Sequence, residues 1–581
     1  MLKVRKNNLL AIPGISKSAL STVALLCFGF AGAQAGHGSK CEAFVNQQLA
    51  TKNNAQMNVI LKLSGNTSAE SKKLSSEGAD VYRNLSLIHS VAVRIRKDNL
   101  REVIQWPEVL HVSNDATTNK TDQFTVASSK ADVAYSEYGL TGSGVGIAVI
   151  DSGVGTQADF NGSNGSLLGC VLGLLSTRVQ TQVNFVPGES ANDLCGHGTH
   201  VAGILAGNGE SSSLLCSKTF YGIARSANIV SVKVLNQTGQ GTVSQAVAGV
   251  QWAVTNKNKY NIRIINISFG HPVGESYTQD PLCQAVEAAW RAGIFVVCAA
   301  GNDGRLNANP AGTDNGGYGT AYGTIECPGN DPYVITVGAM KSMDGNRAHD
   351  QVATYSSRGP SRLDYVLKPD IMAPGNQVIS VEQSNAYLVN AYAATNQVPY
   401  SYYTLSLSKS QSSNNYFKLS GTSMAAPVIS GAAAMLLQQN PYLSPDTLKL
   451  RLMATADKWT DTSGNGDACT YGAGYVDIPA ALQTPILAAP YALSPVLTEN
   501  ADGTVSVQMF NANFSTSIWG TSLWNLNTIY GQVAFSGSLS TVLSSSHAIW
   551  GKDFWDDSST TSISTSGVDL SAGSIAIQGE H

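Results

Sequence analysis

Charge is scarce in this chain. Of its 581 residues only 13% are Asp, Glu, Lys or Arg, and 36 basic residues against 40 acidic leave a net charge of −4. Nothing in that balance attracts a nucleic acid or another polyanion, so that class of partner is excluded. The nine cysteines form no C-x-x-C pair, which removes the usual framework of a structural zinc site. H-E-x-x-H is absent too, so no zinc-peptidase signature is present. Beyond residue 31 no apolar run is long enough to cross a bilayer.

One apolar run stands at the start. Lys3, Arg5, Lys6 and Lys17 precede the stretch 19–31, and Ala33-Gln34-Ala35 follows it. A basic start, a short apolar run and small residues, in that order, read as a signal peptide over 1–35. This predicts secretion, with no membrane association once the signal is removed. Cys27 leaves with that segment and Cys41 precedes the main domain. Cys170, Cys195, Cys216, Cys283, Cys298, Cys327 and Cys469 remain, an odd set. Export permits disulfides, yet at least one of these thiols lacks an internal partner.

Hydropathy divides the rest. Residues 59–63 alternate like a strand, 68–77 suit a helix, 87–95 are strand-like, 99–104 suit a second helix and 109–112 close as a strand. The β-α-β-α-β order predicts a small α+β unit within 36–120. A polar stretch over 114–130 reads as a linker. From 121 to 489 strands and helices alternate. The runs 145–150, 229–235, 262–267, 294–300 and 333–337 are apolar on both faces, with helical 243–254 and 282–292 between them. That pattern predicts an α/β domain with a mostly parallel, buried central sheet. Ligands in such sheets sit beyond the carboxyl ends of the strands, where Asp151, Ser268 and Asn302 fall. Residues 490–581 read as a β-rich extension. Within it Ile518-Trp519-Gly520 and Ile549-Trp550-Gly551 resemble each other, and their tryptophans suit packing within the extension better than an exposed binding face.

Three stretches carry chemistry. Val149-Ile150-Asp151-Ser152-Gly153 puts a carboxylate at a strand end. Gly196-His197-Gly198-Thr199-His200 puts an imidazole at a helix start. Gly421-Thr422-Ser423-Met424-Ala425 puts a hydroxyl at the start of the apolar run 428–437, with Pro427 expected in the first turn. A serine hydroxyl needs a base to take its proton during attack, and a histidine oriented by a carboxylate supplies one. With Ala300-Gly301-Asn302-Asp303-Gly304, the order Asp, His, Asn, Ser resembles the subtilisin-like serine endopeptidases, the subtilases, over some 350 residues.

The resemblance implies a subtilisin-like fold and Asp151, His197 and Ser423 as triad, with Asn302 as oxyanion donor. It implies protein or peptide substrates bound as an added strand. The edges are Ser268-Phe269-Gly270 and Ala299-Ala300-Gly301 around the pocket for the residue before the scissile bond (P1), with Gly239 and Gly241 opposite. It further implies that 36–120 is an inhibitory propeptide, that the product is a monomer, and that no cofactor is required for the chemistry. No metal is assigned. Asp159 lies near a calcium-ligating position of some relatives, but the companion loop after His200 does not match. No acidic side chain stands in the stretches flanking the P1 pocket, which points to apolar or broad preference. Asp193, four residues before His197, reads as an exposed loop carboxylate, His200 as structural and Cys298 as a buried inert thiol. His271 stands where many relatives have glycine, and 381–419 is an insertion without matching features. Two other classes compete. An α/β-hydrolase esterase would need an early G-x-S-x-G and the order Ser, Asp, His. An inactive adhesin scaffold would not need the intact catalytic set.

Overall fold

The computed structural model describes residues 40–41, 45, 49–50, 54–85, 89–114, 125–162, 177–213, 216–307, 310–312, 314–404, 412–459, 468–486, 491–499, 505–508, 562–564 and 579–580. The signal segment, Cys170 and the paired tryptophan segments lie outside the described residues. The chain divides into two units, 1–118 and 119–581.

The first unit has four strands, β1 (Gln56–Leu63), β2 (Asp80–Leu85), β3 (Ser90–Arg96) and β4 (Val109–Asn114), in the antiparallel order β2-β3-β1-β4. Helices Thr67–Ser76 and Lys97–Val103 connect them, and Asn66 caps the first by accepting from the Ser68 amide at 2.9 Å. In β1 the alternation holds, with Val59, Leu61 and Leu63 buried. They pack with Leu74, Val91, Val93, Leu100 and Val109 into a separate core, each stabilising the unit by roughly 1.5–3 kcal/mol. The order is therefore β-α-β-β-α-β, one strand more than expected. The missed strand, β2, is an edge with no buried residue, so it carries no apolar alternation to read.

The second unit is built on an eight-stranded sheet. Its strands are β5 (Gly146–Asp151), β6 (Val179–Asn184), β7 (Asn228–Lys233), β9 (Ile262–Ile267), β10 (Phe295–Ala299), β11 (Ile335–Lys341), β12 (Gln351–Val352) and β13 (Ile371–Pro374). The order is β12-β11-β10-β9-β5-β7-β6 with β13 also on β11, and every pair is parallel except β11 with β12. This is the mostly parallel sheet expected. Helices Thr422–Gln439 and His197–Ala206 pack on each other and on the sheet, and Val243–Thr255 and Pro281–Arg291 form a second packed pair. Thr422–Gln439 is buried continuously from Thr422 to Leu437, the behaviour of a core helix that is apolar all round. Because β10, β9 and β5 are neighbours, their carboxyl ends set Asn302, Ser268 and Asp151 side by side.

The insertion 381–419 contains helices Tyr387–Asn396 and Tyr400–Tyr403. Strands β14 (Val378–Val381), β15 (Gln397–Pro399) and β16 (Ser412–Leu419) form a small sheet ordered β14-β16-β15. In the extension, β17 (Val496–Glu499) and β18 (Val505–Gln508) make a hairpin, while β19 (Ser562–Ser564) pairs antiparallel with β8 (Gln240–Thr242).

Candidate active site

Asp151 is fully buried at the end of β5. Its Oδ1 accepts from the Ser152 amide at 2.7 Å and from His197 Nδ1 at 2.8 Å. An Nδ1–H held by a carboxylate leaves Nε2 as the basic nitrogen. His197 Nε2 is buried and has no hydrogen-bond partner. The approach to the helix that presents His197, and its first turn, are held by Asp193, which is 1% exposed. Asp193 accepts from the amides of Cys195 (3.1 Å), Gly196 (2.8 Å) and Thr199 (2.8 Å), from Thr199 Oγ1 (2.7 Å) and from Ser152 Oγ (2.9 Å). It is thus a structural anchor joining the Asp151 and His197 loops, not the exposed carboxylate expected; burial pushes its pKa up against those donors. His200 faces away, its Nε2 3.1 Å from the carbonyls of Val378 and Phe417, and burial lowers its pKa to about 3. It ties its helix to β14 and β16 as a neutral donor.

Ser423 is the second residue of its helix and fully buried. Its Oγ donates to the Ser268 carbonyl at 2.8 Å, while Ser268 Oγ donates to the Ser423 carbonyl at 2.9 Å. The second bond has a cause in the sequence. Pro427 is the sixth helical residue rather than part of the first turn. It has no N–H for the carbonyl four residues earlier, which is that of Ser423, and Ser268 fills the vacancy. Asn302 follows β10 and turns its Oδ1 to the Thr422 amide at 2.9 Å. Its Nδ2 is buried without a partner. A buried donor left unpaired costs about 1–3 kcal/mol, and Asn302 Nδ2 is such a donor at the start of the helix that carries Ser423.

The other site residues divide. Phe269 is buried, and Gly270 leads into a backbone pair between His271 and Cys327. The Ala300 carbonyl accepts from the Glu326 amide at 3.0 Å, and Gly301 is held by Thr422 Oγ1 and the Ser357 amide. These backbone groups of Ala300 and Gly301 are thus engaged within the fold. Gly239 has φ +81°, and a Cβ on Gly241 would stand 2.5 Å from the Val234 carbonyl, so both positions require glycine.

Glu326 was missed. A Cβ placed on Gly270 would lie 2.4 Å from Glu326 Oε2, and one on Gly301 would lie 2.9 Å from Glu326 Cγ. The two glycines make room for an acidic side chain in the wall of the expected P1 pocket. Glu326 lies outside the flanking stretches from which an apolar or broad preference was expected. The sequence signal available was a lone Glu before Cys327-Pro328, 24 positions from Asn302.

Two places invite a metal. Asp159 is fully buried, but its carboxylate accepts from the Ser211 amide and Tyr416 Oη, each at 2.7 Å, which leaves it a hydrogen-bonded structural acid. Among the described residues His271, Asp280 and Cys327 cluster, with Cys283 Sγ 3.4 Å from Cys327 Sγ. Asp280 Oδ1 is committed to the amides of Leu282 and Cys283 at 2.8 and 3.0 Å. Burial raises both thiol pKa values, that of Cys283 to about 12. Protonated thiols beside a capping carboxylate are poor metal ligands.

Residues 142–474 match the model of the Subtilase family. Serine protease AprX of Bacillus subtilis (strain 168) is 37% identical over 368 residues, covering 61% of this chain and 70% of AprX. Subtilisin E of the same organism is 30% identical over 454 residues, covering 76% of this chain and 95% of the relative. Among solved structures, Sphericase matches at 27% identity and a TM-score of 0.41, covering 58% of this chain and 92% of Sphericase.

Proposed function

The chain belongs to the subtilase family and is a subtilisin-like serine peptidase, and from that premise we propose that it is an exported endopeptidase made as a zymogen. In this reading Asp151 holds His197 in the Nδ1–H tautomer, and His197 Nε2 takes the Ser423 proton as Oγ attacks the scissile carbonyl. Ser423 Oγ leaves the Ser268 carbonyl by rotation about its Cα–Cβ bond to do so. The oxyanion forms at the N-terminus of helix Thr422–Gln439, where Asn302 Nδ2 and the Ser423 amide donate to it. His197 then passes its proton to the leaving amine, and water releases the acyl group by the same route in reverse. Protein or peptide substrate lies as a strand between Ser268-Phe269-Gly270 and Gly239 with Gly241. Glu326 favours lysine or arginine in the P1 pocket. The signal over 1–35 directs export, the unit within 36–120 is the inhibitory propeptide, and the product acts as a monomer.

The observation that carries the reading is a pair of buried, unpartnered polar atoms: His197 Nε2, on the first residue of a helix that packs against the Ser423 helix, and Asn302 Nδ2, whose own Oδ1 accepts from the Thr422 amide. Ser423→Ala is expected to abolish casein hydrolysis and to leave the N-terminal unit attached, read by mass. Normal hydrolysis by the purified variant would sink the assignment, and normal processing with no hydrolysis would sink autocatalytic maturation alone.

A further inference from the structure

The second unit holds two pieces of its own C-terminal extension. The first is Glu580, 8% exposed. Its carboxylate accepts from Arg305 at 2.6 Å, Lys341 at 2.8 Å, the Thr354 amide at 2.8 Å and Thr354 Oγ1. Its amide donates to Asn376 Oδ1 at 2.9 Å, and its carbonyl accepts from Asn376 Nδ2 and Gln377 Nε2, both at 2.9 Å. Every hydrogen-bonding atom of the residue is thus engaged. The position before it is equally specified. Gly579 has φ +77°, and a Cβ there would meet Ser420 Oγ at 2.4 Å. Arg305 and Lys341 are themselves nearly buried, so without an acid between them two cations would face each other out of water.

This receptor borders the catalytic loops. Arg305 follows Asn302 by three residues. Ser420 precedes Ser423 by three, and its Oγ accepts from the Gln377 amide at 2.7 Å. The second piece is β19, whose register on β8 is Ser562 with Thr242, Ile563 with Gly241 and Ser564 with Gln240. Gly241 and its neighbour Gly239 are the edge assigned above to substrate.

We infer that Arg305, Lys341, Thr354, Asn376 and Gln377 form a glutamate-binding site that tethers the C-terminal extension by Glu580, so that Ser562–Ser564 occupies the substrate edge and competes with incoming peptide. The inference rests on the assignment of β8 as a substrate edge. A strand satisfies the backbone of β8 just as a substrate would, and a tether raises the local concentration of that strand to the millimolar range. Losing the tether therefore frees the edge, while the triad and oxyanion donor stay untouched.

The test uses the full chain, its intact extension checked by mass, with Glu580→Ala and the milder Glu580→Gln. A tetrapeptide nitroanilide reaches β8, and a single-residue ester does not. For Glu580→Ala, KM for the tetrapeptide is expected to fall by about fivefold or more at unchanged kcat, with a smaller fall for Glu580→Gln. Ester kinetics stay constant in both, which also shows that the variants are folded. A second measurement is independent of catalysis. In a Ser423→Ala background, Gln240→Cys with Ser564→Cys is oxidised and the joined peptides sought by mass. The cross-link is expected with Glu580 present and is expected to diminish with Glu580→Ala. Unchanged tetrapeptide KM with no cross-link overturns the proposal. A cross-link without a KM change overturns the competition and the assignment of β8 to substrate, while the docking of Glu580 stands. A wild-type chain that cleaves neither probe overturns the enzymatic reading, and the cross-link still reports the docking.

Discussion

The side-chain oxygen of Asn302 accepts the backbone N–H of Thr422 at 2.9 Å, and that bond decides which end of the amide faces the cleft. With Oδ1 held at the start of the nucleophile's helix, Nδ2 is left aimed and unpaired. In the oxyanion role proposed for it, this donor gains its partner only as negative charge develops on the substrate, and so acts on the transition state rather than on binding. Asn302→Ala is expected to lower kcat by about 10²–10³ with little change in KM, a magnitude carried over from subtilisin. A kcat within a factor of about three of the parent's would show that another group is the donor.

Glu326 lies against both Gly270 and Gly301, the glycines expected to border the P1 pocket. A hydrogen bond to a charged group is worth about 1.5–3 kcal/mol. Glu326→Ala should therefore reduce kcat/KM for substrates with lysine or arginine at P1 by about 10–100-fold relative to phenylalanine. The readout is the ratio between the two substrates in each enzyme, which cancels any general loss of activity. A parent enzyme that already prefers phenylalanine would remove the charge from the specificity account.

Legibility in the sequence followed burial. Strands β5, β7, β9 and β10 are apolar on both faces and were readable to within a residue or two, since a buried parallel strand has no polar face to confuse it. Strand β6, Val-Gln-Thr-Gln-Val-Asn, lies at the sheet's edge and is mostly half-exposed, so its composition carried no signal. The residues proposed for catalysis stand out in the sequence because each sits in a short local motif. Asp193 and Glu326 were not. The first owes its role to five donors that converge only after the loop folds onto Ser152. The second owes its place to a backbone pair with Ala300, from which it is 26 positions distant. Pro427 shows a subtler limit. Its helical position depends on where the helix begins, and its consequence, the vacancy filled by Ser268, depends on a residue just past β9 and 155 positions from Ser423.

Cys283 and Cys327 stand 3.4 Å apart, sulfur to sulfur, and Cys298 is fully buried in β10. Burial raises the pKa of all three thiols, so each is unreactive once the core has closed. With the export proposed above, the nearby pair would meet oxidant while folding, and Cys298 is sealed between neighbouring strands. Peptide mapping of denatured, unreduced mature protein is expected to show Cys283 joined to Cys327 and Cys298 as a thiol. A disulfide at Cys298 would refute its assignment. One zinc per chain with Cys283 and Cys327 reduced would make the cluster with His271 and Asp280 a metal site instead.

The N-terminal unit has its own sheet and its own core, so it has the means to fold without the rest of the chain. The second unit has not the same ease. Its parallel strands pair across long stretches of sequence, β5 with β9 and β11 with β13, and such contacts close slowly because loop entropy is spent before they form. A propeptide that binds the folded enzyme also stabilises the state it binds, by mass action. One molecule would then inhibit the finished enzyme and assist its folding, and both effects would come from the same affinity. Two measurements follow. Residues 36–121 added in trans are expected to inhibit the mature enzyme competitively against a peptide substrate. A chain beginning at Ala131 is expected to refold poorly alone and to recover activity when that segment is supplied, with a yield that saturates near the inhibition constant. If the segment inhibits without assisting refolding, the sheet needs no template. If it does neither, residues 36–121 are an ordinary N-terminal domain and the zymogen reading fails, even with Ser423 as nucleophile.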